Sequence, residues 1–145
     1  MKFSRSYSRS VLLRSGPKIK VTISHPLAVL NAAALGDIEL AKPLTITALI
    51  DTGASRTVIN PEVAVTCALK YIGQVRISSA GHINERREFV GALRFPDSGL
   101  RGFDPLRFVA CPLPEQDVSC LLGRDILERW AMTYDGRSVF VEIEE

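Results

Sequence analysis

No hydrophobic run in this sequence approaches the eighteen or so apolar residues that a transmembrane helix requires, so no membrane span is expected. Histidine is scarce: His25 and His82 stand far apart, and the three cysteines, Cys67, Cys111 and Cys120, follow no metal-ligand spacing. No metal and no organic cofactor is therefore expected. An odd cysteine count leaves one thiol unpaired in any disulfide scheme, which fits a reducing compartment, and a cytoplasmic location is the expectation. Acidic residues are missing from the first twenty positions, where Lys2, Arg5, Arg9, Arg14, Lys18 and Lys20 have no counterpart. Subtracting those six from the formal charge of +2 leaves 2 − 6 = −4 on the remaining chain. A body of that sign offers no nucleic-acid-binding face. The basic start contains only Val11, Leu12 and Leu13 as an apolar centre, too short for a secretory signal. It reads as a disordered tail over residues 1–17, with an organellar targeting segment as the other reading.

What is present is ordinary globular material, 46% apolar and 23% charged, enough over 145 residues for one domain with a real core. "KIKVTIS", residues 18–24, alternates Ile19, Val21 and Ile23 with polar neighbours, the period of a half-buried strand, and His25-Pro26 ends it. The Ala- and Leu-rich stretch 27–35 permits a helical turn, but Gly36-Asp37 followed by "IEL" and "PLTITALI" favours strands through this region. "TVI" is a short strand, and Asn60-Pro61 opens a brief helical turn. "YIGQVRIS" and "REFVGALRF" flank "SAGHINE" as a hairpin with a glycine near its tip. "LRFVACPL" and "CLLG" are further strands, and "RDILERW" is a short helix in which Asp125 and Glu128 have capping-box spacing. "MTYDGRSVFVEIE" closes the chain as a hairpin about Asp135-Gly136, with Val139, Val141 and Ile143 on one face.

The chemistry concentrates in "ALIDTGAS", residues 48–55. Leu49 and Ile50 bury the approach, and Gly53 lets the chain turn so that the Asp51 carboxylate can face a cavity. A second apolar-apolar-glycine element occurs at "LLG", residues 121–123. "ALIDTGAS" with the later "TVI", "SSAGH" at the hairpin, and "LLGRDIL", in this order over about residues 18–143, resemble the retroviral-type (retropepsin-like) aspartic protease family. The resemblance implies an all-β, retropepsin-like acid protease fold over residues 18–145, with one short C-terminal helix and a flap hairpin. It makes Asp51 the catalytic aspartate, with Thr52, Gly53 and Ala54 as support. It assigns Ser55, Thr57, Val58, Ala80, Gly81 and His82 to substrate contact, and Leu122, Gly123 and Arg124 to the structural loop packed against the catalytic one. Viral members usually carry an acid at the position of Ser55, where it meets the arginine corresponding to Arg124; here that pair is lost.

One aspartate motif raises a chemical difficulty. Hydrolysis by carboxylates needs one group to deprotonate water and another to protonate the carbonyl oxygen, and two acids placed that close share a single proton. The motif occurs once, and Asp125 is read as a helix cap. The expected solution is a homodimer with Asp51 of each chain facing across a two-fold axis, acting as an endopeptidase on an extended peptide or protein substrate. A non-catalytic peptide-binding or scaffold module of the same fold is the alternative reading.

Overall fold

The computed structural model describes residues 1–79, 81–114 and 117–145. In chain order the elements are β1 (Lys2–Ser6), α1 (Arg9–Ser15), β2 (Lys18–Ser24), α2 (Leu27–Leu35), β3 (Leu44–Ile50), β4 (Val58–Ile59), α3 (Pro61–Thr66), β5 (Lys70–Ser79), β6 (His82–Arg94), β7 (Phe103–Ala110), β8 (Cys120–Leu122), α4 (Arg124–Leu127), β9 (Ala131–Asp135) and β10 (Phe140–Glu144). Seven strands form one sheet in the order β2-β3-β8-β4-β7-β6-β5, with a further pairing of β2 to β6. The remaining three form a second sheet, β1-β10-β9.

The period-two pattern of β2 is realised: Ile19, Val21 and Ile23 are buried, while Thr22 faces outward and its hydroxyl meets that of Thr45 on β3 at 2.9 Å. The core gathers these side chains with Ile50, Ile59, Leu93, Phe108, Leu122, Ile126 and Ile143, so it is built from both sheets and from α4. Strand β3 runs antiparallel to β2 and parallel to β8, with Ile50 opposite Leu122. That parallel pair matters most for the site, because it delivers residue 51 and residue 123 side by side at one end of the sheet.

The all-β expectation is corrected. Four helices occur among the described residues beside the two sheets, so the fold is mixed α/β rather than all-β with one helix. The largest departure is α2, expected as strand. Ala and Leu are strong helix formers, and seven of them among these nine residues form a helix even though only Ala33 is buried and Leu35 is 92% exposed. The "IEL" segment is not a strand either; residues 38–43 are irregular. The basic N-terminus, expected to be disordered, holds β1 and α1. Strand β1 pairs along its whole length with β10, from Lys2 opposite Glu144 to Ser6 opposite Phe140. Ser8 caps α1 by accepting from the Val11 N–H at 3.2 Å.

Two turn readings also change. Asp135 pairs with Phe140, so the last hairpin turns through residues 136–139 rather than through two residues. Asp135 Oδ1 accepts from the N–H groups of Arg137 and Ser138 at 2.9 and 3.0 Å, and these bonds hold its carboxyl below the usual range. Val139 adopts a left-handed φ of 58° and leaves the face it was expected to share with Val141 and Ile143. Strand β10 is central in its sheet, not an edge.

Candidate active site

Asp51 leaves the end of β3 with its N–H donated to Leu122 O at 3.0 Å, so the first residue of the loop is tied to the neighbouring parallel strand. The chain then turns tightly: the Ala54 N–H reaches Asp51 O at 3.2 Å, and the Gly53 N–H donates to Asp51 Oδ1 at 2.8 Å. One carboxylate oxygen is thereby oriented by the loop's own backbone. The side chain is only partly buried, and Thr52, Gly53 and Ser55 are exposed.

The second apolar-glycine element packs directly beneath. A Cβ on Gly123 would lie 2.4 Å from the carbonyl carbon of Arg56 and 2.5 Å from its oxygen, so only glycine lets these two loops touch. Leu122 and Gly123 are both buried. Arg124 donates its backbone N–H to Ala54 O and its Nη1 to Thr52 O, each at 2.8 Å. The arginine therefore grips the Asp51 loop through main-chain carbonyls, and it does so with Ser55 where the viral members carry an acidic partner.

Thr57 and Asp125 form the internal fastening. Thr57 has no exposed surface. Its hydroxyl donates to Asp125 Oδ1 at 2.7 Å and accepts from the Gly123 N–H at 3.2 Å, while its own N–H donates to Asp125 Oδ2 at 3.0 Å. Asp125 Oδ1 also accepts from the Ile126 N–H at 3.0 Å. Two expectations change here. Thr57 does not face a pocket, and Asp125 is no capping-box residue, since the N-cap of α4 is Gly123 with no side-chain cap bond. The geometry instead makes Asp125 the acceptor that locks the strand after the Asp51 loop to α4.

Sequence reading missed Arg56 and Glu88. Arg56 Nη2 lies 2.5 Å from Glu88 Oε2, and its Nε lies 3.9 Å from Asp125 Oδ2. Glu88 is 7% exposed, on the inner half of β6. One guanidinium thus connects the Asp51 loop, the long β5–β6 hairpin and α4. Local pattern carried no signal for this pairing, because the partners are 32 residues apart.

The hairpin itself is present. Strands β5 and β6 stay in register as far as Ser79 opposite His82, with a bulge between Tyr71 and Gly73. Gly81 follows at a φ of 80°, with open space where a side chain would be, and His82 is exposed. Ala80 lies outside the described residues. Val58 is partly buried on β4, between β7 and β8. A shallow cavity of about 410 Å3 opens beside the Asp51 loop, lined by Thr52, Arg124, Leu127, Glu128, Trp130 and Met132.

Among the thiols, Cys120 is fully buried, and its pKa is pushed far up by desolvation and then by the charge of Asp125. Burial likewise raises Cys67. Neither is poised as a nucleophile. Among the described residues no cluster of three or more His, Cys, Asp or Glu side chains could hold a metal ion.

The family model described as "gag-polyprotein putative aspartyl protease" matches residues 36–129. Among solved structures, the chain resembles a retropepsin-like aspartic protease from Rickettsia conorii, at 15% identity and a TM-score of 0.55, over 99% of this chain and 89% of that one. At that identity the likeness speaks for the fold alone. No curated protein sequence matches the chain. The family match spans the Asp51 loop, the hairpin and the Gly123 loop that buttress one another here, and on it the chain belongs to the retropepsin-like aspartic protease family.

Proposed function

We propose that this protein is an aspartic endopeptidase that works as a homodimer, with Asp51 of each chain meeting across a two-fold axis. The observation that carries the reading is the state of the two acids nearest the Gly123 loop. Asp125 is consumed by Thr57, the Ile126 N–H and Arg56, whereas Asp51 keeps a partly exposed carboxylate aligned by the Gly53 N–H. One chain thus supplies a single available acid, and symmetry supplies the second. Thr52 is exposed and the cavity beside it is apolar at Leu127, Trp130 and Met132, which suits a surface that a second copy would cover.

In such a pair the two carboxylates share one proton. The ionised Asp51 accepts a proton from the bound water as that water attacks the scissile carbonyl carbon. The protonated Asp51 of the other chain gives its proton to the carbonyl oxygen. The resulting diol collapses with proton transfer to the leaving nitrogen, and no acyl-enzyme forms. Each hairpin closes over an extended substrate, whose main chain is held by hydrogen bonds and whose alternate side chains enter pockets.

The test is incubation of concentrated protein with a diverse peptide library from acidic to neutral pH, beside Asp51→Asn. The expected result is cleavage by the wild type alone, rising faster than linearly with protein at low concentration. Peptide binding that survives the substitution, with no turnover by either form, would replace this reading with the non-catalytic binding module.

A further inference from the structure

Strand β6 is longer than its second partner. It runs beside β5 to the hairpin tip but pairs with β7 only as far as Glu88 opposite Val109. Residues 83–87 of β6 therefore keep one backbone edge unpaired among the described residues, and a free strand edge is a template for an extended chain. Along this edge runs a groove of about 410 Å3. Its apolar side is made by Pro61 and Val65 of α3, Phe89, and Pro112 beyond the end of β7, and Arg86 and Arg87 border it. Val65 is 79% exposed, an apolar side chain with nothing over it.

Charge identifies what fits. Arg86 is half-buried and has no ion-pair or hydrogen-bond partner among the described residues. Arg87 rests over the Tyr71 ring at 5.9 Å, which leaves its charge uncancelled. The acid that shares the groove, Glu85, lies 4.0 Å from Arg76 Nε. The groove is thus net positive above an apolar floor, and a guanidinium half withdrawn from water is best met by a carboxylate in two-pronged geometry. Position links it to the catalytic loop. Arg86 lies two residues from Glu88 on the same side of β6, roughly 7 Å along a strand, and Glu88 is held by Arg56.

We propose that this groove is a subsite for an acidic side chain of an extended polypeptide, one that adds along the free edge of β6 and places a Glu or Asp against Arg86, with Arg87 on the opposite face of the strand adding to the positive field. That the polypeptide is a substrate rests on the proposed function; that the groove takes an acidic extended segment does not.

The two claims separate in one experiment. Full-length protein carrying Asp51→Asn, which leaves the probe intact, is titrated into fluorescent ten-residue peptides identical except for Glu, Gln or Lys at one position. The expected result is binding of a Glu peptide about fivefold tighter than its Gln partner, the scale of one partly screened charge pair. The gap should vanish in R86Q/R87Q, shrink in R86Q alone, and turn to favour Lys in R86E/R87E. Equal affinities, no detectable binding, or a gap that persists in the arginine variants would overturn the subsite. Cleavage by the wild type that depends on Asp51 without any acid preference removes the subsite and leaves the protease. Acid-selective, arginine-dependent binding by a protein that cleaves nothing does the reverse.

Discussion

Thr57 shows how much a single hydroxyl can carry. The hydroxyl donates to Asp125 Oδ1 and accepts from the Gly123 N–H, and the backbone N–H of the same residue meets Asp125 Oδ2, so three segments meet on one residue. Thr57→Val keeps the shape and the backbone donor but leaves the Gly123 N–H without its acceptor and removes one of the two donors to Asp125 Oδ1. The expected loss is about 2–3 kcal/mol by urea unfolding, and an unchanged midpoint would show that the network is not structural. The buried thiols give a second expectation at this scale. Folding raises the pKa of Cys67 and Cys120 above their ordinary value of 9.0, so each holds its proton more tightly folded than unfolded. Their contribution is complete below pH 9 and is lost as pH rises beyond it, because only the unfolded chain ionises there. Stability should therefore fall on the alkaline side, and Cys120→Ala should flatten that fall even as its cavity lowers stability at neutral pH. At this scale the sequence was partly legible. Asp51 and Gly123 stand out by local context, whereas the pairing of Thr57 with Asp125 joins residues 68 positions apart and has no local signature.

Among the elements, the ion pair of Arg56 with Glu88 couples the hairpin to the Asp51 loop. Glu88→Gln removes one charge of a nearly buried pair and leaves the other. Because Arg56 retains 30% of its side-chain exposure, water softens the loss to about 1–3 kcal/mol. The same change should speed amide hydrogen exchange in β6 and in residues 51–57 together, and exchanging the charges as Arg56→Glu with Glu88→Arg should recover part of the protection. Faster exchange in only one of the two segments would deny the coupling. Element type was readable where the pattern had a period. Strand β2 occupies residues 18–24 as its alternation requires. Helix α2 departs from the strand expectation because an apolar run broken only by Asn31 has no period to separate strand from helix, and its exposure shows that tertiary burial did not decide it. Strand β1 is the opposite case: nothing in "KFSRS" calls for order, and it is a strand because β10 offers it an edge.

For the whole molecule, the proposed chemistry is a property of two chains. If each active site needs Asp51 from both, mixing wild-type protein with an equal amount of Asp51→Asn and allowing exchange should leave roughly a quarter of the pairs intact. Activity per wild-type chain should then fall by about half. Activity that stays proportional to wild-type protein alone would mean that each chain works by itself. The three-stranded sheet bears on assembly as well, because β10 has both edges filled by its own chain. An interface that interleaves β10 with a partner would have to displace β1 or β9.

The sequence by itself determined the acidic loop, the glycine beneath it, the hairpin between them and the family to which they point, because each depends on residue chemistry within a few positions. Tertiary structure alone decided that Asp125 serves Thr57, that Arg56 reaches across to Glu88, that the basic N-terminus is ordered against β10, and that β6 outruns β7 beside an arginine-lined groove. Those outcomes depend on distances between segments far apart in the chain, and a charge or a free edge acquires its partner only when folding brings one within reach.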